Sequence, residues 1–219
     1  MDGITGYSPV EAAEEIAAFY GAVLNLEIDF HERGAWTFMT TLEKIWCSPN
    51  AVEFGKKHFQ TLYNLATNIK TVGKNICINA VAAYNIVARS NGASTINASE
   101  FTSDDLASPD ISEPSTFTLK DVSDKGVVGM NYSLVKLAVS EFKNQVEILI
   151  HGLNELPMDI AFYDPSGELK AAYKREIALM VEKIETEAKS IYADIDAALE
   201  TEINTILLAK EDAAETMAA

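Results

Sequence analysis

The stretch IWCSPNAVEF, residues 45–54, decides how the chain folds. Apolar residues recur at helical spacing on both sides of it, yet Trp46 stands directly against Ser48-Pro49. Ser accepts hydrogen bonds from the free N–H groups of a helix start, and Pro at the first helical position gives up an N–H that has no partner there. The stretch therefore reads as the tip of a helical hairpin, where one helix ends at the tryptophan and the next begins at the proline.

The same helix-start grammar occurs at Ser8-Pro9-Val10-Glu11, which is also a capping box, and at Asp164-Pro165-Ser166. Downstream of Pro49, Leu62, Leu65, Ala66, Ile69, Val72, Ile76, Ala80, Ala83 and Val87 recur at threes and fours, predicting one long amphipathic helix that ends near Asn91-Gly92. Downstream of Pro165 the rhythm returns in Leu169, Tyr173, Ile177, Met180, Ile184, Ala188, Ile191, Ile195, Leu199, Ile203 and Ile206. Upstream of the two tips, Val10, Ala13, Ala17, Tyr20, Val23 and Leu24 run toward Met39 and Leu42, and Leu134, Leu137, Phe142, Val146, Leu149 and Leu153 form the counterpart. Gly34 is expected to kink the first helix, and Pro157 to end the third.

The predicted organisation is a first hairpin over 8–91 with its turn at 46–49, and a second over 131–210 with its turn at 157–165. Between them residues 92–130 form an acidic Ser/Asp/Pro-containing linker, with a small β-hairpin around Phe117–Val128 as an expectation. Residues 211–219 read as a frayed tail. Two antiparallel helices cannot hide apolar faces this wide alone, so the expected fold is all-α: two antiparallel hairpins packed as an elongated four-helix bundle.

Composition narrows the function. The 219 residues, 48% hydrophobic, suffice for a real core, and a formal charge of -16 without a Lys/Arg run argues against nucleic acid or an anionic bilayer as partner. No stretch of about 18 apolar residues is present to span a membrane, and the first residues lack the basic and apolar regions of a general signal peptide. Cys47 and Cys77 form no CxxC pair. On one straight helix they stand roughly 45 Å apart, beyond the ~7 Å reach of a disulfide, so both are expected as free, packed thiols. No nucleophile elbow, phosphate loop or HExxH sequence appears, and His31, His58 and His151 lie in separate segments.

Aligning the tips sets Trp46-Cys47-Ser48-Pro49 against Phe162-Tyr163-Asp164-Pro165, each an aromatic, then a cap, then proline. With that tip tryptophan, the hairpins and no general signal peptide, the chain resembles the Trp-X-Gly (WXG, ESAT-like) hairpin proteins of bacterial type VII secretion, here in tandem over about 8–91 and 131–210. Ser48 replaces the family's Gly in the first half, and the second half has Phe162 and Asp164 in place of Trp and Gly. The resemblance implies a non-enzymatic protein without cofactor or metal, acting through protein partners, the secretion machinery among them. It implies a chain held in the cytoplasm before export and then secreted, folded as a monomeric pseudo-dimer or a weak homodimer. Tyr192 and Asp196 fit the family's Tyr-x-x-x-Asp/Glu export signal, and a spacing of four puts both on one helix face.

Two other readings come from the residues. Glu27 with His31 and Glu147 with His151 echo the Glu/His pairs of carboxylate-bridged, ferritin-like metal bundles, although their spacing is four instead of three and the plain reading is surface pairs. Long amphipathic hairpins also suit a helical pore-forming protein, which the acidic balance opposes.

Overall fold

Ser48 does what its neighbours demand of it. In the computed structural model, which describes residues 9–100, 129–156 and 167–218, its Oγ accepts the Ala51 N–H at 3.2 Å and its carbonyl accepts that of Val52 at 3.3 Å, so α3 starts at Pro49. The described residues are all-α apart from one two-residue strand pairing. Helix α1 covers Pro9–Asp29, a π-helical segment Phe30–Trp36 and α2 Thr37–Ile45; α3 runs Pro49–Ser90, α4 Tyr132–Asn154 and α5 Glu168–Ala218. A short 3₁₀ turn, Ala98–Glu100, follows α3.

The π segment falls on the expected kink at Gly34 and has a cause in the sequence. Buried positions Val23, Glu27, His31, Ala35 and Met39 advance in steps of four, each overshooting a 3.6-residue turn, and the wider π turn absorbs the excess. Thr37 marks the wider turn, its Oγ–H donating to the Glu32 carbonyl five residues back at 2.6 Å.

Helix α3 ends as predicted, at Asn91-Gly92. Gly92 takes a φ of +68°, and the bonds Ala93 N–H to Ala88 O (2.8 Å) and Gly92 N–H to Arg89 O (3.3 Å) form a Schellman closure that needs a residue at ease in the left-handed region. Asn85 then clasps the backbone of Ile96, donating to its carbonyl at 2.8 Å and accepting its N–H at 2.9 Å. Asn131 caps α4 by accepting the Leu134 N–H at 3.2 Å. Gly167, at φ +73°, precedes α5, which is described from Glu168; the Asp164-Pro165 start expected lies outside the described residues. The β-hairpin expected around Phe117–Val128 lies outside the described residues.

The contacts group the chain into two units. Unit 1 comprises Met1–His31, Asn64–Ser112 and Glu147–Ile184. Its core takes Ile16, Phe19 and Val23 from α1, Ile69, Ile76 and Cys77 from α3, Leu149 and Leu153 from α4, and Ile177 and Ile184 from α5; each large side chain so buried contributes about 1.5–3 kcal/mol. Two glycines let neighbouring helices approach α1 closely. A Cβ on Gly73 of α3 would overlap Val23, and one on Gly152 of α4 would overlap Leu26. Phe19 meets the edge of Tyr173 at 5.6 Å, and the Tyr173 hydroxyl donates to the Leu156 carbonyl at 3.2 Å.

Unit 2 comprises Glu32–Tyr63, Glu113–Val146 and Glu185–Ala219. Phe38 of α2 stacks on Phe142 of α4 with centroids 4.4 Å apart and planes 13° apart, and presents its edge to Phe54 of α3. Phe142 in turn meets Tyr192 of α5 at 6.1 Å.

The core stripe of α5 follows the predicted register from Ile177 to Leu199, and that of α3 follows it from Leu62 to Ala80, after which Tyr84 and Ala88 are buried in place of Ala83 and Val87. In α1 and α4 only the first turns are displaced, while Tyr20, Val23, Phe142, Val146, Leu149 and Leu153 are buried as predicted. Val10, Leu134 and Leu137 are exposed, and Ala12, Ile16, Val135 and Ala138 are buried in their place. In α1 alanines fill both candidate faces, and the bulk of Ile16 and Phe19 decides which one turns inward. Ile203, the predicted continuation on α5, is also exposed. Both cysteines are buried and neither is in a disulfide, and among the described residues no helix is long and apolar enough to cross a membrane.

Candidate functional site

Trp46 lies in the break between α2 and α3, in unit 2. Its N–H still reaches back to the Leu42 carbonyl, but its backbone is extended (φ -133°, ψ 120°) and the helix stops. Trp46 and Cys47 pair antiparallel with Met130 and Gly129, and the Asn131 N–H donates to the Ile45 carbonyl at 2.9 Å. This short ladder satisfies backbone groups that a buried helix end would otherwise leave without partners.

The indole is 1% exposed and tilts against Phe54 at 5.6 Å. Its Nε1–H donates to Glu202 Oε1 of α5 at 3.3 Å, and the same oxygen accepts from Asn50 Nδ2 at 3.3 Å. Glu202 is only 5% exposed. A buried carboxylate is costly without donors, so this one holds α5 to the tip by requiring both. Two turns further along α3, the buried His58 bonds through Nε2 to Asp194 Oδ2 at 2.5 Å, and Lys57 Nζ reaches the same oxygen. Asn50 and His58 are eight residues apart, as are Glu202 and Asp194, so the pairs fix an antiparallel register between α3 and α5 in this unit.

The charges of that second pair are set by their surroundings. The Lys57 ammonium, then the His58 bond, hold Asp194 below its usual range against the opposing effect of desolvation. Burial pushes His58 below its usual 6.5, with Asp194 pulling the other way. An ionised Asp194 only accepts, so the neutral imidazole carries its proton on Nε2. The ring is sealed from solvent and bonded to Asp194 of α5, so the dyad cross-links the two helices.

Among the other sequence-predicted residues, Tyr192 is half-buried, its ring flanked by Phe142 and by the Lys143 ammonium 4.6 Å from its centroid, while Asp196, four residues on, is exposed. Phe162, Asp164 and Pro165 lie outside the described residues. One of the two Glu/His pairs differs from the surface reading given them. Glu147 and His151 are exposed, but Glu27 and His31 are buried in unit 1. Glu27 Oε2 has no hydrogen-bond partner among the described residues, and burial pushes its carboxyl up to about 7 despite the nearby Lys70 ammonium. Among the described residues no three His, Cys, Asp or Glu side chains come together to hold a metal ion.

Glu202 and Asp194 are invisible to a reading that follows apolar residues only, and Glu27, singled out with His31, is not placed in the core by it. Each nevertheless stands at stripe spacing, Glu202 three after Leu199 and Glu27 four after Val23. A carboxylate at a core position is the signal that identifies the first and the last. No family model matches the sequence, and comparisons with curated proteins and with solved structures find no match.

Proposed function

We propose that this chain is a non-enzymatic interaction protein of the tandem Trp-X-Gly kind, its two helical hairpins closing on each other as an antiparallel four-helix bundle that is exported by a type VII secretion system. The observation that carries the reading is Trp46: a buried tryptophan at a hairpin turn, followed by a Ser-Pro helix start and tied to the last helix through Glu202. The four-helix arrangement is supported in unit 2 by a closed circuit of contacts, α2 to α3 and α4 through Phe38, α4 to α5 through Phe142 and Tyr192, and α5 to α3 through Asp194 and His58.

With both hairpins in one chain, pairing is a loop closure whose entropic cost grows slowly with loop length, so a monomer does the work of the usual two-subunit dimer. Asp196, exposed on α5, and Tyr192 one turn before it are the residues a secretion receptor reads. The test is to express the tagged chain in a bacterium with an active type VII system and in the same strain lacking its secretion ATPase, then blot cells and medium. The protein is expected in the medium of the first strain only, and Asp196→Lys is expected to deplete it there without changing the melting temperature. Equal amounts outside both strains would overturn the export reading.

A further inference from the structure

Helix α3 is an electrostatic exception. The chain carries a net -16, yet between Asn64 and Ser90 this helix holds Lys70, Lys74 and Arg89 and no carboxylate. Its outward face in unit 1 is also apolar at helical spacing: Ile78 is 42% and Ile86 65% exposed, with the exposed Ala82 midway between them. Beside that face, α3 and α5 leave a groove of about 420 Å³ floored by Val72, Ile76, Leu169 and Tyr173 and edged by Asn79 and Arg175. Arg89 and Arg175 make no ion pair among the described residues, and Glu176 is the carboxylate that shares the groove's lining.

We propose that this surface docks an acidic amphipathic helix from a partner protein, its apolar stripe seated on Ile78, Ala82 and Ile86 and in the groove, with flanking carboxylates meeting Arg175 and Arg89. The face from Asn75 to Arg89 is about 21 Å long, which matches a partner helix of about four turns. Charge selects the occupant. Elsewhere the chain's negative charge repels an acidic helix, whereas here this part of α3 offers no carboxylate and Glu176 alone among the groove's lining opposes Arg175, and specificity follows from that contrast. Two exposed isoleucines without a dense lysine row suit a helix better than a bilayer. The proposal rests on the protein-interaction reading but not on export, since docking is measured on purified protein.

The probe is a fluorescein-labelled peptide of about 18 residues with a leucine stripe flanked by Glu, and a twin with Lys in place of Glu, titrated with full-length protein by anisotropy. The Glu peptide is expected to bind at least about tenfold tighter than its twin and to weaken as salt is raised. Ile86→Asp and Arg175→Glu should each weaken it about tenfold, whereas Leu137→Asp, an exposed apolar site in unit 2, should not. Ile86→Ser serves if Ile86→Asp lowers the helical circular dichroism. Equal binding of the twins, or binding indifferent to both Ile86 variants, would overturn the proposal. So would tighter association with phosphatidylglycerol vesicles than with the Glu peptide, or a sedimenting dimer that Ile86→Asp disperses, which would make a second copy the occupant.

Discussion

Trp46 and Glu202 stand 156 residues apart in sequence and 3.3 Å apart in space, the indole N–H donating to a carboxylate that Asn50 also reaches. Both partners are buried, so neither can turn to water if the other is lost. Replacing Glu202 by Ala leaves the buried indole N–H unsatisfied and is expected to lower stability by about 1–3 kcal/mol, while Glu202→Gln, which keeps an acceptor, is expected to recover most of it. Urea unfolding followed by circular dichroism measures both, and a double-mutant cycle with Trp46→Phe isolates the pair. An additive cycle would mean that the bond contributes nothing.

The two close-approach glycines of unit 1 should respond differently to the same added methyl. Each Gly→Ala change gains about 1 kcal/mol of helix propensity. At Gly73 the methyl meets Val23, whose branched side chain has little freedom to move aside, and overpacking there costs about 1–3 kcal/mol. At Gly152 it meets the end of Leu26, which can change rotamer. Thermal melts are therefore expected to show Gly73→Ala below wild type and Gly152→Ala level with it or above.

Glu27 gives the stability curve a downward slope at neutral pH. Its folded pKa, about 7 against an ordinary 4.5, means that between those values the native chain holds a proton the unfolded chain has released. Stability therefore falls as pH rises through that window, by up to roughly 3 kcal/mol for the full shift. Glu27→Gln should flatten the slope and stabilise the protein at pH 8 by about 1–3 kcal/mol. A variant no more stable than wild type at pH 8, in urea titrations run across the window, would contradict this.

His58 and Asp194 act in the opposite sense. His58 sits below its usual 6.5, chiefly through burial, so the unfolded chain takes up a proton that the folded one resists, and stability is lost as pH falls from 6.5. Asp194 adds a second loss below its ordinary 3.8, because Lys57 and His58 hold it ionised in the fold. Asp194→Ala removes the acceptor of a buried imidazole and should cost about 1–3 kcal/mol at pH 7. In the His58→Phe variant, the stability loss between pH 6.5 and 5 should shrink.

Much of the fold is legible in the sequence because Ser48-Pro49, Asn91-Gly92 and the stripes of α3 and α5 are local signals whose partners lie within a turn or two. The pairing of Trp46-Cys47 with Gly129-Met130 is not, because its two strands are brought together only by tertiary structure. The displacement of the first turns of the α1 stripe has another origin: alanines stand on both faces there, and the bulk of Ile16 and Phe19 decides which one turns inward. At the candidate site Trp46 is readable as a hairpin tip, whereas its partner Glu202 is masked by the adjacent Ile203, the residue that apolar periodicity selects and that the fold leaves exposed.

The most direct test of the account is an isotope-filtered nuclear Overhauser measurement on a mixture of labelled and unlabelled full-length chains. If the two hairpins close on each other within one chain, the Phe38–Phe142 ring contact and the contact of the Trp46 indole N–H with the Glu202 side chain will appear as intramolecular cross-peaks in a monomer. Their absence, or their appearance only between labelled and unlabelled chains, would contradict it.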